Sequence, residues 1–131
     1  MASVADLVKD RRVLSVRADQ SVLEAARLMT EFNVGAVPVM RGEDLAGIFS
    51  ERDIMSRVVA AGRSPAITNV AEVMTPRPLV LSPSDSVEQA FFVMQEHGFR
   101  HLVVCEGKVL KGVISLRDVM RSQARRGSAQ Q

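Results

Sequence analysis

Gly47-Ile48-Phe49-Ser50-Glu51-Arg52-Asp53 and Gly112-Val113-Ile114-Ser115-Leu116-Arg117-Asp118 are one motif written twice, 65 residues apart. Working outward at that spacing, residues 13–55 fall on 78–120 without a gap, and fourteen of those 43 pairs are identical. The identities run through the whole unit, from Ser21/Ser86 and Ala25/Ala90 to Met29/Met94, Val39/Val104 and Leu45/Leu110. A repeat of this length sets the architecture, because each copy is a supersecondary unit that buries its apolar face against a neighbour. Val4-Ala5-Asp6-Leu7 matches Val70-Ala71-Glu72-Val73 at a spacing one residue longer, so each copy has its own lead-in.

Within each copy the apolar period alternates. Leu14-Ser15-Val16 and Leu79-Val80-Leu81 read as short strands. Ser21 and Ser86 each precede an apolar stripe at helical spacing, and Glu24 or Gln89 completes a capping box three residues on. Ala36 to Met40 and His101 to Cys105 are rich in branched residues and read as strands. Turn residues around Gly42 and Gly107 return the chain through Leu45–Phe49 and Val109–Ile114, which predicts antiparallel hairpins. A last helix carries Ile54, Met55, Val58 and Val59, or Val119 and Met120. The expected fold is α/β in the α+β sense: two β-α-β-β-α repeats packed as a pseudo-twofold pair. The repeats span 4–61 and 70–123, with a linker at 62–69 and a disordered tail at 124–131.

Composition excludes several classes of protein. A chain of 131 residues, 47% hydrophobic and 24% charged, is an ordinary globule with no need of a metal or disulfide staple. The single Cys105 cannot form an intramolecular bridge, which fits a reducing compartment. The start has no secretory pattern and no apolar run is long enough to span a membrane, so the expected location is cytoplasmic. Seventeen basic residues against fifteen acidic leave only +2, which does not call for nucleic acid. Arg121, Arg125 and Arg126 read as a solvated helix end, and without Tyr or Trp there are few platforms for stacking bases. His97, His101 and Cys105 do not complete a metal site, since Gly98 separates the two histidines.

The chemistry points to the two closing motifs. Each places a serine at a strand end and an aspartate one turn into a helix. An ionised aspartate has two acceptor oxygens that can hold adjacent hydroxyls, as on a ribose, and the helix start favours a polar or anionic ligand. The same Ser-x-x-Asp spacing also describes a plain N-cap, and spacing alone favours the cap.

Taken together, the gapless copies each closing in Gly-h-h-Ser-x-Arg-Asp resemble tandem cystathionine β-synthase (CBS) domains, the Bateman module, in a stand-alone bacterial-type protein. Met74-Thr75-Pro76, Ser84-Asp85-Ser86-Val87 and Arg100-His101-Leu102 are similar to that family's signatures. The resemblance implies a regulatory module rather than an enzyme. It would require no cofactor and would bind AMP, ADP, ATP or S-adenosylmethionine in clefts between the repeats. It assigns the ribose to Asp53, Asp118, Ser50 and Ser115, and the phosphate to Arg100 and His101. The adenine lining falls to Val16, Val37, Pro38, Leu81 and Leu102. It further implies a homodimer through helices equivalent to Ile54–Val59 and Val119–Arg121, acting on an unidentified regulated protein. The first copy has Gly35-Ala36 where the second has Arg100-His101, so the two clefts are expected to differ in charge. The rival reading is a dimeric interaction module without a nucleotide.

Overall fold

The computed structural model describes residues 2–129, with side chains as far as Arg125. In chain order the elements are α1 (Val4–Val8), β1 (Val16–Arg17), α2 (Val22–Phe32), β2 (Ala36–Arg41), β3 (Asp44–Ser50) and α3 (Glu51–Asp53). A π-helical stretch, Ile54–Val59, continues α3, and α4 (Val70–Val73), β4 (Thr75–Pro76) and β5 (Val80–Leu81) come after it. The chain closes with α5 (Val87–His97), β6 (His101–Glu106), β7 (Val109–Ser115) and α6 (Leu116–Ala129). The fold is mixed α+β with two small sheets, as the repeat predicts.

Two compact units result, and neither coincides with the span of one repeat. One is Leu14–Pro78; the other joins Met1–Val13 to Leu79–Gln131. The lead-ins are therefore exchanged: α4 packs with the first repeat's sheet and α1 with the second's. Equivalent bonds hold both, since the Val70 N–H donates to the Gln20 carbonyl and the Val4 N–H to the Asp85 carbonyl, each at 2.8 Å. Val70, Val73 and Met74 join the core of Val22, Ala25, Met29, Val37, Val39 and Phe49. Val4 and Val8 join Val87, Ala90, Met94, Leu102, Val104 and Ile114.

In the first unit the sheet order is β1-β2-β3-β4, in the second β5-β6-β7. β1 and β5 run parallel to their neighbours, and the two hairpins are antiparallel. Gly42 and Gly107, at φ 60° and 61°, make the tight turns that an L side chain would resist. Each hairpin carries the same bulge, leaving Ala46 and Lys111 without a cross-strand partner. The predicted caps form: the Glu24 N–H donates to Ser21 Oγ at 3.1 Å, as does that of Gln89 to Ser86 Oγ.

Three expectations need correction. β1 and β5 begin at Val16 and Val80, later than predicted, because each pairs at only two positions along one edge. The helix after β3 winds with i→i+5 bonds, as in Ala60 N–H to the Met55 carbonyl at 2.9 Å, so its apolar residues do not share one face. Val58 is wholly buried in the core, while Met55 and Val59 stay 62% and 67% exposed. Finally, α6 continues to Ala129, into the stretch expected to be a disordered tail. Gln123, Ala124, Arg125 and Arg126 are good helix formers, which lets the backbone carry on. Gln130 and Gln131 lie outside the described residues.

Candidate functional site

Both Ser-x-x-Asp turns sit where the hairpin's last strand enters a helix, beside the start of the middle strand. Ala36 pairs with Ser50, and the Glu51 N–H donates to the Gly35 carbonyl at 2.9 Å. In the second unit His101 pairs with Ser115, and the Leu116 N–H donates to the Arg100 carbonyl at 2.8 Å. Each turn is also a capping box. Asp53 Oδ2 accepts from the Ser50 N–H at 3.0 Å, and the Asp53 N–H donates to Ser50 Oγ at 3.2 Å. Asp118 Oδ2 accepts from the Ser115 N–H at 2.7 Å, with the reciprocal bond at 3.1 Å.

The cap does not exhaust a carboxylate, which offers about four lone-pair sites. At Asp53 the second oxygen, Oδ1, meets the Thr75 hydroxyl at 3.4 Å and Arg57 Nε at 3.7 Å. Both contacts are long, and Asp53 is nonetheless 6% exposed. β4 brings Thr75 here, and Gly47 admits β4: a Cβ on Gly47 would lie 2.6 Å from the Thr75 carbonyl oxygen.

At Asp118 the second oxygen is taken. Arg11 Nη2 donates to Oδ1 at 2.6 Å and Nη1 to Oδ2 at 2.9 Å, a two-pronged fork. Nη1 also reaches the Val113 carbonyl at 3.4 Å. Burial pushes the Asp118 carboxyl up, but the bonds from Arg11 and Ser115 outweigh it and hold the group below its ordinary value. The same fork, against some burial, raises the Arg11 guanidinium.

The structure thus brings Ser50 with Asp53, and Ser115 with Asp118, Arg100 and His101. Arg100 is exposed, while His101 is half-buried. The five residues expected around adenine are placed differently. Val16 and Val37 pack in one core, Leu81 and Leu102 in the other. Pro38 is buried on β2, and strand alternation puts it on the face opposite Val37 and Val39, with Ala36. Its counterpart by repeat is Val103, which is fully buried yet belongs to neither core. Alternation along His101–Glu106 is the signal that separates Val103 from Leu102.

Arg11, Thr75 and Arg57 are the site residues that sequence patterns do not reveal. The lead-in match holds the signal: if α4 serves the first repeat's turn, α1 and the residues after it serve the second's. Cys105 is half-buried, burial pushes its thiol up, and His97 stacks on Phe99 at 5.4 Å. Among the described residues no three His, Cys, Asp or Glu side chains cluster as metal ligands. Two surface depressions lie in the first unit, one beside Arg17, Arg41 and Asn69, the other beside Leu23, Arg27 and Thr30. Neither includes a predicted site residue. Among the described residues no helix is long and apolar enough to cross a membrane.

Comparison with known proteins meets the same two repeats. The sequence profile of the CBS domain matches residues 4–60 and 70–125. The CBS domain-containing protein YhcV of Bacillus subtilis is 36% identical over 129 residues, 98% of this chain and 91% of that one. A protein with CBS domains from Burkholderia ambifaria MC40-6 superposes with a TM-score of 0.86 at 36% identity, covering 92% of this chain and 93% of the other. The hexameric CBS-CP12 protein from bloom-forming cyanobacteria superposes with a TM-score of 0.82 at 28% identity, over 90% of this chain and 66% of that one.

Proposed function

Given that this chain belongs to the CBS domain family, with one domain at residues 4–60 and another at 70–125, we propose that it is a regulatory module that senses an adenosyl ligand. The ligand class is AMP, ADP, ATP or S-adenosylmethionine, with the ribose diol on the Asp53 turn. The observation that carries this reading is Asp53 Oδ1, a carboxylate oxygen beyond the cap whose contacts among the described residues are no shorter than 3.4 Å. Ser50, already a cap donor and acceptor, fixes that carboxylate in place. Beside the Asp53 turn the Pro38 face of β2 is the apolar surface for the base; beside the Asp118 turn, in the other unit, Arg100 and His101 are the groups for phosphate.

The output passes through a partner protein or a rearranged dimer. Met55 and Val59 in one unit are 62% and 67% exposed, and Met120 in the other is 56% exposed, apolar side chains that suit self-association. The hexameric state of the cyanobacterial relative supports assembly as a property of such chains. The protein turns over no nucleotide, since Ser50 and Ser115 are engaged as caps and burial raises the Cys105 thiol away from its reactive form. It acts in a reducing compartment, the cytoplasm.

A thermal-shift panel of AMP, ADP, ATP, S-adenosylmethionine and guanine nucleotides tests the reading. A ligand that binds the native state raises the melting temperature, by about 2.7 kcal/mol of added stability at a hundredfold excess over Kd. The expected result is a rise with adenine compounds alone. A flat response supports instead the dimeric interaction module. Four of the five expected adenine residues lie inside the cores, and that observation favours the second reading.

A further inference from the structure

The geometry points to Arg11 as the residue that makes the two carboxylate turns unequal: by forking onto Asp118 it occupies the place of a sugar diol, so ligand loads the Asp53 turn first. This rests on the ribose reading of Asp53 and extends it to the second turn. A guanidinium presents two parallel N–H donors, and a vicinal diol presents two O–H donors to the same pair of oxygens. Arg11 satisfies both Asp118 oxygens at 2.6 and 2.9 Å and is anchored further by the Val113 carbonyl. A diol can reach Asp118 only by displacing that fork.

Among the described residues no such fork reaches Asp53. Arg57 meets it once, through Nε at 3.7 Å, and spends its Nη1 on the Met74 carbonyl at 2.9 Å. The residue matched to Arg11 by the lead-in spacing is Arg77, which is exposed at φ 49°. Arg11 is thus a positioning and specificity residue. It acts through Asp118, and its place between α1 and β1 is a feature of this sequence, outside the closing motif.

The test counts sites. Adenosine is the probe, because it carries the diol without a phosphate that Arg11 itself could hold. Titration calorimetry on the wild-type chain should show one site tighter than a second by roughly ten- to a hundredfold, the worth of a charge-assisted hydrogen-bond pair. Arg11→Ala should tighten the weak site until the two agree within about threefold, leaving the tight site unchanged; a purely structural role would weaken both. Arg11→Lys, which keeps the charge but cannot fork, should fall between them and serves if the alanine variant does not fold. Equal sites in the wild type overturn the inference. So does a weak site that stays weak in both variants while Asp53→Ala still removes the tight one. Adenosine binding that neither Asp53→Ala nor Asp118→Ala alters, or no binding by any variant, overturns the ribose reading and the inference together.

Discussion

The Asp53 and Asp118 turns share a backbone and a cap, yet present different carboxylates. In both, Oδ2 closes the capping box at about the same distance, 3.0 and 2.7 Å. At Asp53 the remaining oxygen faces a threonine hydroxyl at 3.4 Å; at Asp118 it faces a guanidinium at 2.6 Å. The motif identities specify the cap, whereas the partner comes from the exchanged lead-in, where the repeat is least exact. Met74-Thr75-Pro76-Arg77 succeeds one lead-in and Val8-Lys9-Asp10-Arg11 the other. Two turns built on one motif can therefore keep their geometry and differ in what their carboxylates meet, through residues outside the motif.

The largest expected effect comes from the strand that serves only one turn. At Gly47 a Cβ would meet the Thr75 carbonyl oxygen at 2.6 Å and Met74 Sδ at 2.7 Å, so Gly47→Ala must displace β4. Overpacking of this kind costs about 1–3 kcal/mol, and the upper end is expected because backbone is the obstacle. In Gly112→Ala the nearest atom is a Val8 methyl at 3.3 Å, and the obstacle is φ 150° instead. Urea unfolding of both variants should show Gly47→Ala as the greater loss, with nucleotide binding at the Asp53 turn weakened alongside. A neutral Gly47→Ala contradicts the close approach that places Thr75.

Next in size is the phosphate contact. Hydrogen bonds to charged groups are worth about 1.5–3 kcal/mol, so Arg100→Ala should weaken AMP at the Asp118 turn, beside which Arg100 lies, by roughly ten- to a hundredfold. Adenosine should be little affected. Because the Arg100 backbone carbonyl, not its side chain, holds the Leu116 N–H, the substitution leaves the turn intact. Equal loss for AMP and adenosine means the arginine supports structure rather than reading phosphate.

The smallest effect is on stability. Arg11 is 45% exposed, which screens its ion pair with Asp118, so Arg11→Ala should cost about 1 kcal/mol at neutral pH. The pH dependence has a definite sign. Asp118 titrates below its ordinary 3.8 in the folded chain, so its contribution is complete above that value and fades as pH falls through the depressed one. The gap between wild type and Arg11→Ala should hold from neutrality to about pH 5 and close below pH 3.8. A gap that widens on acidification contradicts the ion pair.

Much of this is legible in the residues. The repeat, both hairpins and the caps at Ser21 and Ser86 arise from local patterns that need no tertiary context. The closing aspartates are legible too, though not their partners. Lead-in exchange is a long-range choice: Arg11 and Asp118 are 107 positions apart, and no periodicity links them. Which face a strand residue takes is hard to read from the sequence for a related reason. Strand residues alternate between faces, and hydrophobicity alone does not tell Leu102, packed in the second unit's cluster, from Val103, equally buried on the other face of β6. The π winding of Ile54–Val59 leaves no mark in a sequence whose apolar spacing reads as an ordinary helix.

Binding of AMP against 2′-deoxy-AMP, measured by calorimetry on wild type, Asp53→Ala and Asp118→Ala, tests most directly whether the Asp53 carboxylate reads a ribose. Removing the 2′ hydroxyl leaves a strong acceptor short of one donor, which should cost about 1–3 kcal/mol, or roughly ten- to a hundredfold in affinity. The prediction is that wild type and Asp118→Ala discriminate between the two sugars at the tight site, while Asp53→Ala loses the tight site and its discrimination with it. Equal binding of AMP and 2′-deoxy-AMP by the wild-type chain contradicts it, and leaves Asp53 as a helix cap and nothing more.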